Sequence, residues 1–288
     1  AFVRLFPIDT RLELDIENFG ASIAYKFGSF SLGVSANYYQ FEIAALTSRF
    51  DTALVAPFTE PGQFFGPPLY SPANVIATQV QSGNDEDLGI NVGFLWELNP
   101  KFILGGSYRD GVSFDYDYVV ACGPADPVSC NFPPRVGEPR FNVPSVWGVG
   151  IAIRPTDRFT IAIDYHNVEY SALTETFVNL AEPSNVPADF VVDDADEIHL
   201  GLEYVFANLR NPITIRVGAW EDPAHQIRYT GNAPTTSLVL WSGSNLAEDE
   251  THITGGLGFT LGENFGIDLA ADFSERVDIM AISAFFRF

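Results

Sequence analysis

Side chains able to do chemistry are few in this sequence, and their spacing is informative. The four histidines stand at positions 166, 199, 225 and 252. His166 follows Asp164 by two residues, which places both on one face of a strand. Such a pair can begin a proton relay, yet no serine partner can be singled out. No Gly-x-Ser-x-Gly or His-Glu-x-x-His motif is present either. The chain is therefore read as a non-enzyme that needs no cofactor. Cys122 and Cys130 lack metal spacing and read as a disulfide closing a short loop, which implies an oxidising compartment.

The remaining charges of interest are Glu97, Arg109, Asp164, His166, Glu203, Arg216, Asp268 and Asp272. Each sits on the small, polar face of an alternating segment. Buried charges must be paired or hydrated, so arginines 109 and 216 are expected to meet Asp164, Glu203 and Asp268. Such a network either props the fold or lines a route on which an arginine meets a carboxylate head. Acidic clusters at Asp85–Asp87, Asp193–Glu197 and Glu248–Glu250 read as a solvated rim, or as divalent-cation sites that bridge to lipopolysaccharide phosphates. Phe58, Phe64, Phe65, Leu69 and Tyr70 put unusual apolar weight into a loop-like stretch. Exposed apolar patches need a reason: ligand capture, contact with another protein, or folding back over the mouth.

The elements that carry these residues alternate with period two. Leu88, Ile90, Val92, Phe94 and Trp96 oppose Gly89, Asn91 and Gly93. Ile198, Leu200, Leu202 and Tyr204 oppose His199, Gly201 and Glu203. Phe265, Ile267, Leu269 and Phe273 oppose Gly266, Asp268 and Asp272. One face is large and apolar, the other small or charged, which is the pattern of a membrane strand with lipid outside and a polar lumen inside. At His166 the phase slips by one, to Val168 and Tyr170, and the expectation is a β-bulge.

Short turns at 28–29, 99–100, 155–157, 209–211 and 262–264 alternate with long loops near 47–84, 119–144, 172–192 and 221–250. Short turns at one end and long loops at the other are the layout of an outer-membrane barrel. Counting from Phe288, the short connection Glu275–Val277 falls among the long loops. Eleven strands are readable. An even number is the rule, so Ala1–Ile8 is assigned as a twelfth, with fourteen strands as the alternative if the N-terminus is truncated. The expectation is one all-β antiparallel barrel domain over residues 1–288. The start at Ala1 without methionine reads as a processed end or a truncation.

Composition agrees. Among 288 residues, 25 are Phe and 11 Tyr, suited to aromatic girdles, and a net charge of −22 excludes a nucleic-acid partner. No run approaches the length of a membrane helix. A soluble β-sandwich would also alternate, but it would not sort its loops by length between two ends.

Asn91-Val-Gly-Phe-Leu-Trp-Glu-Leu-Asn-Pro100, Leu104-Gly-Gly-Ser-Tyr-Arg109 and Val143-Pro-Ser-Val-Trp-Gly-Val-Gly150 carry a resemblance. Arg154-Pro-Thr-Asp-Arg158, His252-Ile-Thr-Gly-Gly-Leu-Gly258 and Phe286-Arg-Phe288 extend it. In these residues the chain resembles the FadL/TodX family of outer-membrane proteins, importers of long-chain fatty acids and aromatic hydrocarbons. The family's N-terminal hatch and its Asn-Pro-Ala signature are not visible. The resemblance implies a Gram-negative outer-membrane location, capture of a hydrophobic small molecule at the 54–70 stretch, and contact with membrane lipid and lipopolysaccharide. The other reading is a structural barrel that anchors or completes an assembly with other outer-membrane proteins.

Overall fold

The computed structural model describes residues 8–50, 72–125, 133–176, 190–230, 248–262 and 264–286. In chain order the strands begin with β1 (Ile8–Phe27), β2 (Phe30–Phe50), β3 (Val75–Asn99), β4 (Phe102–Arg109), β5 (Ser113–Asp115) and β6 (Asp117–Cys122). Next come β7 (Arg135–Gly137), β8 (Arg140–Asn142), β9 (Val146–Thr156), β10 (Phe159–Val168), β11 (Phe190–Val191) and β12 (Ala195–Phe206). The last are β13 (Ile213–Asp222), β14 (Arg228–Tyr229), β15 (Glu250–Leu261), β16 (Phe265–Phe273) and β17 (Ile279–Phe286). The wall is an antiparallel path β1-β2-β3-β4-β9-β10-β12-β13-β15-β16-β17, each strand paired with its neighbours in sequence once the short mouth strands are set aside.

The short turns lie where the sequence places them. Gly28 and Gly262 supply φ of 63° and 65°, a region that side chains rarely enter. At this end and through the spanning zone, the large apolar residues are the exposed ones. Ile198, Leu200, Leu202, Tyr204 and Phe206 are exposed along β12, while His199, Gly201 and Glu203 between them are partly covered. In water that pattern would be costly; facing lipid it is the stable arrangement.

The strand layout differs from the expectation in part. Ile8 lies in β1 and pairs opposite Arg49; residues 1–7 lie outside the described residues, so a separate strand there stays an expectation. The wall path holds eleven strands among the described residues, the number readable in the sequence. Strand β4 stops at Arg109, and Ser113–Asp115 pairs with β8. No bulge occurs at His166, because β10 and β12 pair without a break from Phe159 to Val168.

That apparent slip has another cause. Strands β2 and β3 run 21 and 25 residues, about twice the 9–11 that cross a bilayer. Beyond Tyr38 and Leu88 their polarity inverts. Gln40 and Glu42 now face outward, and Phe41, Ile43 and Ala45 are buried on the inner face. Val168 follows the same rule: it shares a face with Asp164 and His166 yet is buried and apolar. Outside the membrane, water is on the outer side, so the core moves inside.

The inner face at the mouth is closed by the 110–145 connection. Phe41, Ile43, Val112 and Phe114 form one buried cluster, with Tyr39, Tyr116, Phe141 and Val143 packed around it. The Phe41 and Phe114 rings stack at 4.7 Å with 3° between planes. Burial pushes the Tyr116 phenol above its ordinary value.

Candidate functional site

In the spanning zone the inner face of the wall is built from residues with little or no side chain. Gly33, Gly93, Gly105, Gly148 and Gly150 leave a hollow of about 440 Å³ bounded by Asp164 and His166. Gly201 and Gly218 leave another of about 460 Å³, with Asp164, His199, Arg216 and Trp220 on its walls. Asp164 lines both, so the two hollows adjoin along the inner wall. Its carboxylate occupies space that any side chain at position 150 would fill.

Part of the expected charge network is present. Arg216 donates to Glu203 at 2.8 Å through Nε and to Asp268 at 2.6 Å through Nη1. The register explains the triad: Arg216 lies opposite Glu203 on β12 and Gly256 on β15, and with no side chain at 256 or 258 the guanidinium reaches over to Asp268 on β16. Glu97 is elsewhere, at the short-turn end, where Lys26 donates to it at 2.7 Å. Arg109 ends β4 and makes no ion pair among the described residues. Asp164 stands opposite His199 and does not join the triad.

A second cluster was not foreseen as a unit. His166, His199, Trp220 and His252 come from four successive strands and face each other as a ladder of rings. Centroids are 4.8 Å apart for His166 and His199, 4.9 Å for His199 and Trp220, and 3.9 Å for Trp220 and His252. Asp272 closes it, hydrogen-bonded to His252 Nδ1 at 2.9 Å. Each residue was legible as lumen-facing from its parity. Their common height was not, because it depends on register.

The acidic clusters are engaged in structure. Asp87 and Asp85 accept from the backbone N–H groups of Ser113 and Asp115 at 2.9 and 2.7 Å, holding β5 against β3. Asp194 accepts from Ser171 N–H at 2.9 Å, and Asp193 pairs with Arg228 at 2.5 Å. Glu250 accepts from the Arg276 N–H at 2.7 Å, which fixes the link between β16 and β17 at the long-loop end. The Ser274 hydroxyl, together with that N–H and the Arg276 charge, holds the Glu250 carboxyl below its usual range against the effect of burial.

The apolar stretch with Phe58, Phe64, Phe65, Leu69 and Tyr70 lies outside the described residues. So does Cys130. Cys122 closes β6 and is not a free thiol, but no bridge between the two cysteines is described, and the disulfide stays an expectation.

The family model for outer membrane protein transport proteins (OMPP1/FadL/TodX) matches residues 9–238. The chain belongs to that family. This makes it an outer-membrane β-barrel of a family of transport proteins rather than enzymes, with short turns on the periplasmic side and long loops outside. Among solved structures it is similar to the CymD monoaromatic hydrocarbon channel, at 18% identity and TM-score 0.51, over 98% of this chain and 87% of that one. It is also similar to a Pseudomonas aeruginosa FadL homologue (14% identity, TM-score 0.59, 95% of this chain and 66% of that one). The Pseudomonas putida toluene transporter TodX matches at 16% identity and TM-score 0.57, over 95% of this chain and 69% of that one. These likenesses concern the fold. No curated protein sequence matches the chain.

Proposed function

We propose that residues 1–288 act as one barrel domain that passes neutral hydrophobic small molecules, monoaromatic hydrocarbons in particular, across the outer membrane. The observation that carries this reading is the glycine-floored inner wall. Its adjoining hollows of about 440 and 460 Å³ each exceed the roughly 150 Å³ of an apolar cavity that accepts benzene. Family membership and the solved hydrocarbon channels of the same fold support it.

Charge favours a neutral cargo over a fatty-acid anion. Arg216 is the cation on these walls, and it is already bonded to two carboxylates. A carboxylate head would have to displace one of them, in a chain of net charge −22. Phe58, Phe64, Phe65, Leu69 and Tyr70 are proposed to capture the molecule before it enters, with lipopolysaccharide and membrane lipid around the barrel. Uptake by proteoliposomes tests the reading: toluene should enter faster with the protein than without it, and faster relative to that control than laurate does. Equal rates with and without protein would favour the structural barrel that anchors other outer-membrane proteins.

A further inference from the structure

His166 on β10 lies directly opposite Glu197 on β12, and His199 follows Glu197 by two residues on the same face. Cross-strand and same-face neighbours of this kind bring three side chains to one point above the sheet. A ring nitrogen from each histidine and a carboxylate oxygen of Glu197 all lie within 4.8 Å of one another. Glu197 Oε2 and His199 Nε2 are already 3.0 Å apart. Ligands bound tetrahedrally at zinc distances stand about 3.3 Å apart, so the widest pair has roughly 1.5 Å to close.

Both rings are placed by their surroundings. Trp220 lies flat against His199, with 7° between the planes. The His166 ring occupies the space over Gly148 that a methyl group there would overlap. All three side chains are partly buried, and His166 and His199 also border the hollows of the inner wall. Two imidazoles with one carboxylate are a nitrogen-rich set. It suits zinc and its neighbours, whereas calcium and magnesium ask for oxygen throughout.

We propose that His166, Glu197 and His199 form a binding site for a divalent transition-metal ion of the zinc class on the lumen wall near the outer mouth. His166 and His199 also border the two hollows proposed for hydrocarbon passage, but metal binding is read separately from uptake, and either stands if the other fails.

The test is calorimetric titration of Zn²⁺ into the full chain in detergent after removal of metal with EDTA. One zinc should bind per chain. His166→Ala and His199→Ala should each weaken binding at least about tenfold, while His225→Ala, which alters a histidine stacked on Tyr170 and outside the three-ligand set, should leave it unchanged. Gly148→Ala keeps every ligand but displaces the His166 ring, and it should weaken binding as well. Co²⁺ loading should give a visible absorption band in the wild type and in His225→Ala that is lost in His166→Ala. The absence of saturable zinc binding in the wild type would overturn the proposal. So would wild-type affinity in His166→Ala and His199→Ala. Where a histidine variant fails to fold, unchanged affinity in Gly148→Ala overturns it in their place.

Discussion

At the scale of single residues, position on the wall decides what a side chain is worth. Phe114 is fully buried in the mouth cluster, and Phe→Ala at such a site costs about 3–5 kcal/mol. Phe114→Ala should therefore loosen the mouth while the wall stays folded, read as faster proteolysis of the 110–145 connection with barrel mobility in gels unchanged. Arg216 is different. It and Glu203 are substantially exposed to the lumen, so each ion pair contributes on the order of 1 kcal/mol or less. Arg216→Met should shift the thermal midpoint little, yet it leaves Glu203 and Asp268 as uncompensated carboxylates in the hollow, which should slow any anionic cargo further. Glu250 carries a pH dependence. Its folded-state carboxyl lies below the ordinary value of 4.5, so its contribution is complete above that value and is lost as pH falls through the lower folded value. Hydrogen exchange at the Arg276 amide should accelerate over that window, and Glu250→Gln should show the faster exchange already at neutral pH.

At the scale of elements, the strands outside the membrane behave as a soluble sheet does. β1–β3 keep their ladders far past the bilayer and turn their apolar residues inward. The carboxylates of Asp85 and Asp87 then bind β5 in place of a ladder. Asp85→Ala with Asp87→Ala should free β5, seen as lost protection of the Ser113 and Asp115 amides, with the spanning strands unaffected. The spanning zone was legible in the sequence because lipid on one side and lumen on the other impose strict alternation, as from Leu88 to Trp96. The inversion hid the rest. Val168 looked like a slipped register because its environment changed while its pairing did not. The 75–84 part of β3 looked like loop because Val75 and Ala77 turn inward while Ser82 and Asn84 face out, the reverse of the spanning pattern. The ring ladder stayed hidden for a separate reason: only the register of β10, β12, β13 and β15 sets the histidines at one height, and composition carries no register.

At the scale of the whole molecule, the wall separates two solvents, and its inner face is cleared by glycine where cargo is proposed to pass. Gly93 and Gly201 allow that claim to be tested without damage to the fold. A Cβ at position 93 would meet Gly106 O at 3.5 Å, and one at 201 would meet the Ala162 Cβ at 3.8 Å, both ordinary contacts. Gly93→Phe and Gly201→Phe should thus assemble normally while filling the hollows. The decisive measurement is toluene uptake by proteoliposomes that carry equal amounts of folded wild-type or variant protein. Each substitution should slow uptake by about tenfold, in line with the roughly 1–3 kcal/mol cost of forcing an extra apolar group into filled space. Wild-type rates in both variants would contradict the account.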